Sequence, residues 1–135
     1  MNRKVLFTMI LASSLGACAS TGPLTGADRD KHGCIPSAGT AWSNVKQACV
    51  QPWKEGIRLT QTAQTGSAQF AAYVILSADG TRAEVFTKDG SQVLIRSFTD
   101  DGPQWSGEKV LLKRLPAAWE MYENGTLSYR AEQAQ

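Results

Sequence analysis

Three short turns that share one pattern constrain the fold of this chain more than any other feature. Residues 78–81, 88–91 and 123–126 each have the form x-[Asp/Asn]-Gly-[Ser/Thr]. Asp-Gly and Asn-Gly pairs are typical of tight β-hairpin turns, because glycine adopts a positive φ without steric cost. Successive tight hairpins predict an antiparallel meander.

The segments around these turns alternate between apolar and polar residues with a period of two, as strands do. Residues 73–76 are continuously apolar, which predicts a strand that is covered on both sides. We expect a mainly β domain of six to seven strands that curls towards a barrel to protect its edges. The predicted strands are 56–63, 69–77, 81–87, 91–98, 108–115, 118–122 and 126–131.

The pairing register depends on whether each loop has two or three residues. At the last turn, a two-residue loop pairs Tyr122 with Leu127, whereas a three-residue loop pairs Met121 with Leu127. A three-residue loop at the middle turn pairs Val85 with Val93. The three-residue loops separate polar from apolar side chains cleanly, so we predict them at both turns. The first turn remains ambiguous.

The N-terminus has the composition of a secretory signal peptide. Arg3 and Lys4 carry positive charge, residues 5–12 are apolar, and small residues follow. The apolar run is shorter than the roughly 20 residues that a membrane-spanning helix needs. We therefore assign residues 1–17 to a signal peptide that is removed.

Residues 15–18, with the sequence Leu-Gly-Ala-Cys, resemble the lipobox of bacterial lipoproteins. The resemblance implies that the Cys18 thiol receives a diacylglyceryl group and that the chain is cut just before Cys18, with acylation of the new amine. Two or more acyl chains anchor a protein stably to a membrane. In enterobacterial lipoproteins an Asp after the Cys marks inner-membrane retention. Ala19 stands there, so we expect anchoring to the outer membrane, facing the periplasm.

Residues 18–33 are small, polar and interrupted by Gly and Pro, which predicts a flexible tether to a folded domain at 34–135.

If Cys18 is lipidated, Cys34 and Cys49 are the two cysteines that remain to form a disulfide. A pair of cysteines in an oxidising compartment predicts a disulfide. The chain-entropy model assigns roughly 3 kcal/mol to a loop of about 15 residues.

The segment between the two cysteines has an apolar spacing that is typical of a helix. Trp42, Val45 and Cys49 recur at this spacing, and Ser43 is a suitable N-cap residue. The sequence therefore predicts one short N-terminal helix that the disulfide holds in place.

Charge and motif content exclude several classes of function. The chain has 14 Lys and Arg against 12 Asp and Glu, and Arg3 and Lys4 belong to the signal peptide. The remainder is neutral, whereas nucleic-acid binding needs a concentrated positive field. One His excludes a zinc site built on two histidines. Hydrolase, metalloprotease, nucleotide and dinucleotide motifs are missing, so we expect neither catalysis nor a cofactor.

Four tryptophans are candidates either for the core or for a binding surface. Trp42 and Trp119 are expected in the core, because large rings fill a small core efficiently. Trp53 and Trp105 lie in connections rich in Pro and Gly. Together with Ser106 they form a candidate binding surface for an envelope protein or a glycan.

Residues 106–110, Ser-Gly-Glu-Lys-Val, resemble part of the Ser-Gly-x-x-Tyr element of the envelope lysozyme-inhibitor lipoproteins. Val110 stands where that element has Tyr, and the family's Trp-x-Lys-Gly element is missing. The resemblance implies a periplasmic hydrolase inhibitor as an alternative function, and we expect such an inhibitor to insert a protruding loop at 99–107. The leading expectation is a non-enzymatic binding or envelope-associated module at a membrane surface, with the oligomeric state left open.

Overall fold

The computed structural model describes residues 28–63 and 69–132. The predicted signal peptide at 1–17, the predicted lipidation of Cys18 and most of the predicted tether lie outside the described residues. The elements, in chain order, are a 3-10 turn (Pro36–Ala38), β1 (Ala41–Ser43), β2 (Ala48–Val50), α1 (Pro52–Glu55), β3 (Ile57–Gln61), β4 (Ala71–Leu76), β5 (Arg82–Thr87), β6 (Gly90–Thr99), β7 (Gly102–Ser106), β8 (Val110–Arg114), β9 (Ala118–Glu123) and β10 (Thr126–Glu132).

Strands β3 to β10 form a closed antiparallel barrel in which each strand pairs with the next along the chain and β10 pairs with β3. Closure removes the unpaired strand edges that an open sheet would expose. The prediction of a mainly β, barrel-like antiparallel meander is therefore confirmed.

The barrel contains β7, a strand that the sequence analysis placed in a loop at 99–107. Pro103 argued against a strand at this position, because proline lacks the backbone N–H that a residue in a central strand donates. Pro103 pairs with Phe98 of β6, whereas the pairing of β7 with β8 begins only at Gln104. The expectation of a protruding loop at 99–107 is wrong, since only residues 100 and 101 form the turn.

Inward-facing side chains from all eight strands fill the barrel. Trp105 and Trp119 stack inside it, with 5.5 Å between the ring centroids. The predicted core position of Trp119 is confirmed, whereas the predicted surface position of Trp105 is wrong, because Trp105 is 2% exposed. The buried residues of this interior cluster are Leu59, Ala72, Val74, Ala83, Val85, Leu94, Trp105, Leu112, Trp119, Met121 and Tyr129.

Residues 28–51, which we name the N-terminal cover, lie against the outer wall of the barrel. Val45 and Val50 of the cover pack against Ile75 of β4 and Phe86 of β5 in a second apolar cluster. Because β4 contributes to both clusters, the prediction that 73–76 is covered on both sides is confirmed.

The cover contains the hairpin β1–β2 where the sequence predicted a helix, so that prediction is wrong. Trp42 lies opposite Cys49 in the hairpin, and Gln47 adopts a positive φ of 54° in its turn. The Ser43 hydroxyl, predicted as a helix cap, accepts from the Lys46 N–H within the hairpin turn and donates to a barrel residue. The short helix of this region is α1, which follows the hairpin.

The predicted disulfide between Cys34 and Cys49 is confirmed, with 5.5 Å between the two Cα atoms. It joins the start of the cover to β2.

Residues 28–33, predicted as part of the tether, make contacts with the folded unit. Asp28 accepts hydrogen bonds from the backbone N–H and the hydroxyl of Ser37.

The last turn has two loop residues, so the predicted three-residue loop is wrong. Asn124 and Gly125 have φ values of 50° and 81°, the double positive φ of a type I′ turn. The register then shifts by one residue between Leu127 and Tyr129, so that Tyr129 pairs with Met121. The extra residue thus lies in a bulge within the strand, which still turns Tyr129 into the core.

The middle turn also has two loop residues, Lys88 and Asp89. The predicted pairing of Val85 with Val93 is wrong, because Val93 pairs with Glu84. The prediction assumed that one face of these strands meets water. The cover buries the outer face of β5 as well, so apolar residues such as Phe86 lie outside the barrel.

Candidate functional site

A groove of about 460 Å³ opens where the cover meets the β5–β6 hairpin. We name it the cover groove. Its volume falls within the roughly 300–1,000 Å³ that is typical of small-ligand sites. The residues that line it are Asp30, Lys31, His32, Pro36, Thr40, Ala41, Trp42, Asn44, Phe86, Thr87, Gly90 and Ser91.

Two stacked rings form one side of the cover groove. The imidazole of His32 lies parallel to the indole of Trp42, with 4.2 Å between the centroids and 7° between the planes. The Asp30 carboxylate accepts hydrogen bonds from the backbone N–H groups of His32 and Cys34, at 2.8 and 2.9 Å. Because Cys34 is joined to Cys49, opposite Trp42, the disulfide and this turn together position His32 over the indole.

The carboxylate of Glu84 lies beneath the cover groove and is fully buried. Oε2 accepts hydrogen bonds from the Ser43 hydroxyl at 2.6 Å and from the Val45 N–H at 3.3 Å. Oε1 accepts from the Asn44 amide at 3.1 Å and from the Ser91 hydroxyl at 3.2 Å. Four donors therefore satisfy a charge that would otherwise be costly to bury.

Glu84 was not predicted as a site residue, although its position in the sequence carries a weak signal. It is an acidic residue between two apolar ones, Ala83 and Val85. The alternation of apolar and polar residues along a strand predicts that such a residue faces solvent. Only the packing of the cover shows that this position is buried. Since the buried Ser43 hydroxyl donates to Glu84, this pair connects the cover to the wall and offers no accessible nucleophile.

The three residues of the predicted binding surface do not come together. Trp53 lies on α1, is 58% exposed, and packs its indole edge against Gly39. Trp105 is in the barrel interior, where its Nε1–H donates to the Gly80 carbonyl at 2.9 Å. Ser106 is exposed at the end of β7. Trp42, predicted as core, is only half-buried and lines the cover groove.

Ser106 lines a second groove of about 560 Å³, at the β7–β8 turn. We name it the turn groove. Tyr122 of β9 contributes an aromatic ring, and the Lys113 ammonium lies 5.3 Å from its centroid. The Tyr122 hydroxyl donates to Glu120 at 2.7 Å, and this bond, with burial, raises the pKa of Tyr122. Val110 belongs to the same groove.

The β6–β7 hairpin presents the most exposed of the large apolar side chains in the described residues. Phe98 is 72% exposed, and the Arg96 guanidinium lies 4.9 Å from its ring centroid. Pairing of β6 with β5 ends at Ile95, so this end of the hairpin extends beyond β5.

Within 28–63 and 69–132, no group of three or more His, Cys, Asp or Glu side chains is arranged to hold a metal ion. No helix among these residues has both the length and the apolar composition that crossing a membrane requires.

Comparisons with known proteins identify no relative of this chain. No family model matches it. No curated protein and no solved structure matches it significantly. Any assignment of function therefore depends on the sequence and on the geometry described above.

Proposed function

We propose that this protein is a lipid-anchored protein of the bacterial cell envelope that binds its partner, without catalysing a reaction, in the cover groove. The observation that carries the proposal is the groove itself. It combines aromatic walls with a few oriented polar groups, which is the usual composition of a ligand site.

The proposed anchor is the acylated Cys18, on the strength of the signal-peptide composition and the lipobox resemblance. Asp28 lies ten positions after Cys18, and this stretch spans at most about 36 Å when fully extended. The lipid would therefore keep the barrel close to the bilayer. The disulfide supports an oxidising compartment such as the periplasm, because structural disulfides persist there.

The groove is pre-organised, which supports binding as its role. The disulfide and the four donors to Glu84 hold the cover against the barrel wall. Binding to a rigid site avoids much of the entropic cost of ordering loops when a ligand arrives. The burial of Ser43 favours binding over nucleophilic catalysis at this location.

The anchor and the groove are tested separately. Cys18→Ser should release the protein from the membrane fraction, and a variant that stays fully membrane-bound would contradict the anchor. The lipidated full chain in detergent should capture its partner from envelope extract. Trp42→Ala should reduce this capture, while Trp53→Ala should leave it intact. Equal capture by both variants would contradict the assignment of the groove.

The alternative function is inhibition of an envelope-degrading hydrolase such as lysozyme. Two observations favour it, namely the exposed Phe98 on the extended hairpin and the aromatic Tyr122 in the turn groove. An inhibitor should slow the lysis of cell walls by lysozyme at a fixed molar ratio. Phe98→Ala or Tyr122→Phe should then weaken inhibition, and a wild-type chain without effect on lysis would contradict this alternative.

A further inference from the structure

We infer that the ligand of the cover groove is a neutral saccharide, with one sugar ring stacked on the indole of Trp42. The inference rests on the proposed function, because it identifies the ligand class of the same groove. It depends on three features of the lining, which are a stacking surface, an oriented amide and the balance of charge.

The stacking surface is occupied in the structure by a residue of the chain itself. His32 lies parallel to Trp42 at 4.2 Å, which shows that this indole face accepts a flat ring in van der Waals contact. His32 is exposed, so rotation of its side chain would uncover the indole. A pyranose has an apolar face of C–H groups that fits an aromatic ring in the same way.

The oriented amide belongs to Asn44. One amide hydrogen is donated to Glu84, which is itself buried and held by three further donors. An amide has two N–H donors and a carbonyl acceptor. The second N–H and the oxygen of Asn44 therefore remain for a ligand, and a donor next to an acceptor matches two neighbouring hydroxyl groups.

The charge of the lining favours a neutral ligand over an ionic one. Asp30 and Lys31 have opposite signs, and Asp30 already accepts two backbone hydrogen bonds. A site for phosphate or nucleic acid would cluster positive charge. The other polar groups at the groove are hydroxyls, those of Thr40, Thr87 and Ser91. In the bacterial envelope, where we propose that the protein lies, the cell-wall glycan is a polymer with such sugar rings.

The test is co-sedimentation of the lipidated full chain, in detergent, with purified cell-wall sacculi. The wild-type chain should sediment with them, and Trp42→Ala should weaken binding by roughly tenfold or more, as for the loss of a central aromatic contact. His32→Ala should bind about threefold or more tightly, because it removes the ring that competes for the indole. Trp53→Ala, which changes an exposed Trp outside the groove, is the matched control and should bind like the wild type.

Three results would overturn the inference, provided that urea unfolding shows each variant to be folded. They are no sedimentation of the wild-type chain, unchanged binding by Trp42→Ala, or weaker binding by His32→Ala. The failure of the saccharide inference is distinguishable from that of the proposed function. The chain could fail to sediment with sacculi and still capture an envelope protein in a Trp42-dependent way. This result would contradict the saccharide ligand but retain the proposed function, with a protein as the ligand.

Discussion

Ser43 donates a 2.6 Å hydrogen bond to Glu84, a residue 41 positions later in the chain, and neither side chain is exposed to solvent. The bond joins β1 of the N-terminal cover to β5 of the barrel wall. It lies beside the apolar cluster that contains Val45 and Phe86. A buried, fully satisfied polar contact of this kind specifies position as well as stability, because any displacement of the cover would leave a buried charge unpaired.

Glu84→Gln should destabilise the protein by about 1–3 kcal/mol. The carboxylate accepts from four donors, whereas a Gln amide must direct an NH₂ group at some of them. Urea unfolding should show a lower midpoint with a similar slope. Glu132→Gln, at an exposed position, is the control and should change the midpoint little. Equal midpoints for the two variants would contradict the structural role of Glu84.

Removal of the disulfide by the double substitution Cys34→Ser and Cys49→Ser should cost about 3 kcal/mol, from the closure of a loop of about 15 residues. Thermal unfolding should record the lower stability. Because the disulfide also restrains the hairpin that carries Trp42, opposite Cys49, the double variant should bind more weakly in the cover groove. Wild-type protein analysed by mass under non-reducing conditions should lack two hydrogens, and two free thiols would contradict the bond.

Gly125→Ala should destabilise the β9–β10 hairpin by about 1–2 kcal/mol, because φ is 81° at this position. Asn124→Gly in the same turn is the matched comparison. Its φ of 50° suits glycine, so this variant should be nearly neutral. Unfolding midpoints of the two variants measure the difference. Equal unfolding midpoints for the two variants would contradict the positive φ of Gly125.

The stability of the β4–β5 turn should depend on pH through Asp79. Its pKa lies well below the ordinary value of 3.8, first because the Thr81 N–H donates to the carboxylate and also because the Thr81 and Ser77 hydroxyls do. The unfolded chain therefore binds the proton more tightly than the folded one. The contribution of Asp79 to stability is complete above its unfolded pKa and is lost as the pH falls through the folded pKa.

Urea unfolding at several pH values tests this dependence. The midpoint of the wild-type protein should fall as the pH decreases below about 4, near the unfolded pKa of Asp. Asp79→Asn should remove part of that decrease, whereas Asp101→Asn, at an exposed position in the β6–β7 turn, should not. The same pH profile for both variants would show that the hydrogen bonds of Asp79 do not stabilise the fold.

The two mispredicted turns show where sequence reasoning failed and why. The predicted registers put one face of each strand in the core and the other in water. At β5 both faces are buried, since Val85 faces the interior while Phe86 packs under the cover. At β10, a bulge beyond Leu127 carries the extra residue that we predicted in the turn. Polarity cannot show where along a hairpin an extra residue lies.

The candidate site was less predictable than the fold. Of its main residues, the sequence supported a definite position only for Trp42, and that prediction placed it in the core. His32, Asn44 and Glu84 carry no motif, because their roles arise from residues far apart in the chain. Trp53 and Trp105 differ in exposure although both follow a nearby proline, so local composition could not separate them.

The sequence by itself determined the fold class, the approximate positions of seven of the eight barrel strands and the disulfide. These features follow from local chemistry, namely alternation, turn residues with positive φ and a pair of cysteines. Only the tertiary structure decided that the segment between the cysteines is a hairpin, that it covers β4 and β5, and that it encloses Glu84. Those features depend on which surfaces pack together. Packing against residues that are distant in the sequence overrides the local conformational preferences of a short segment.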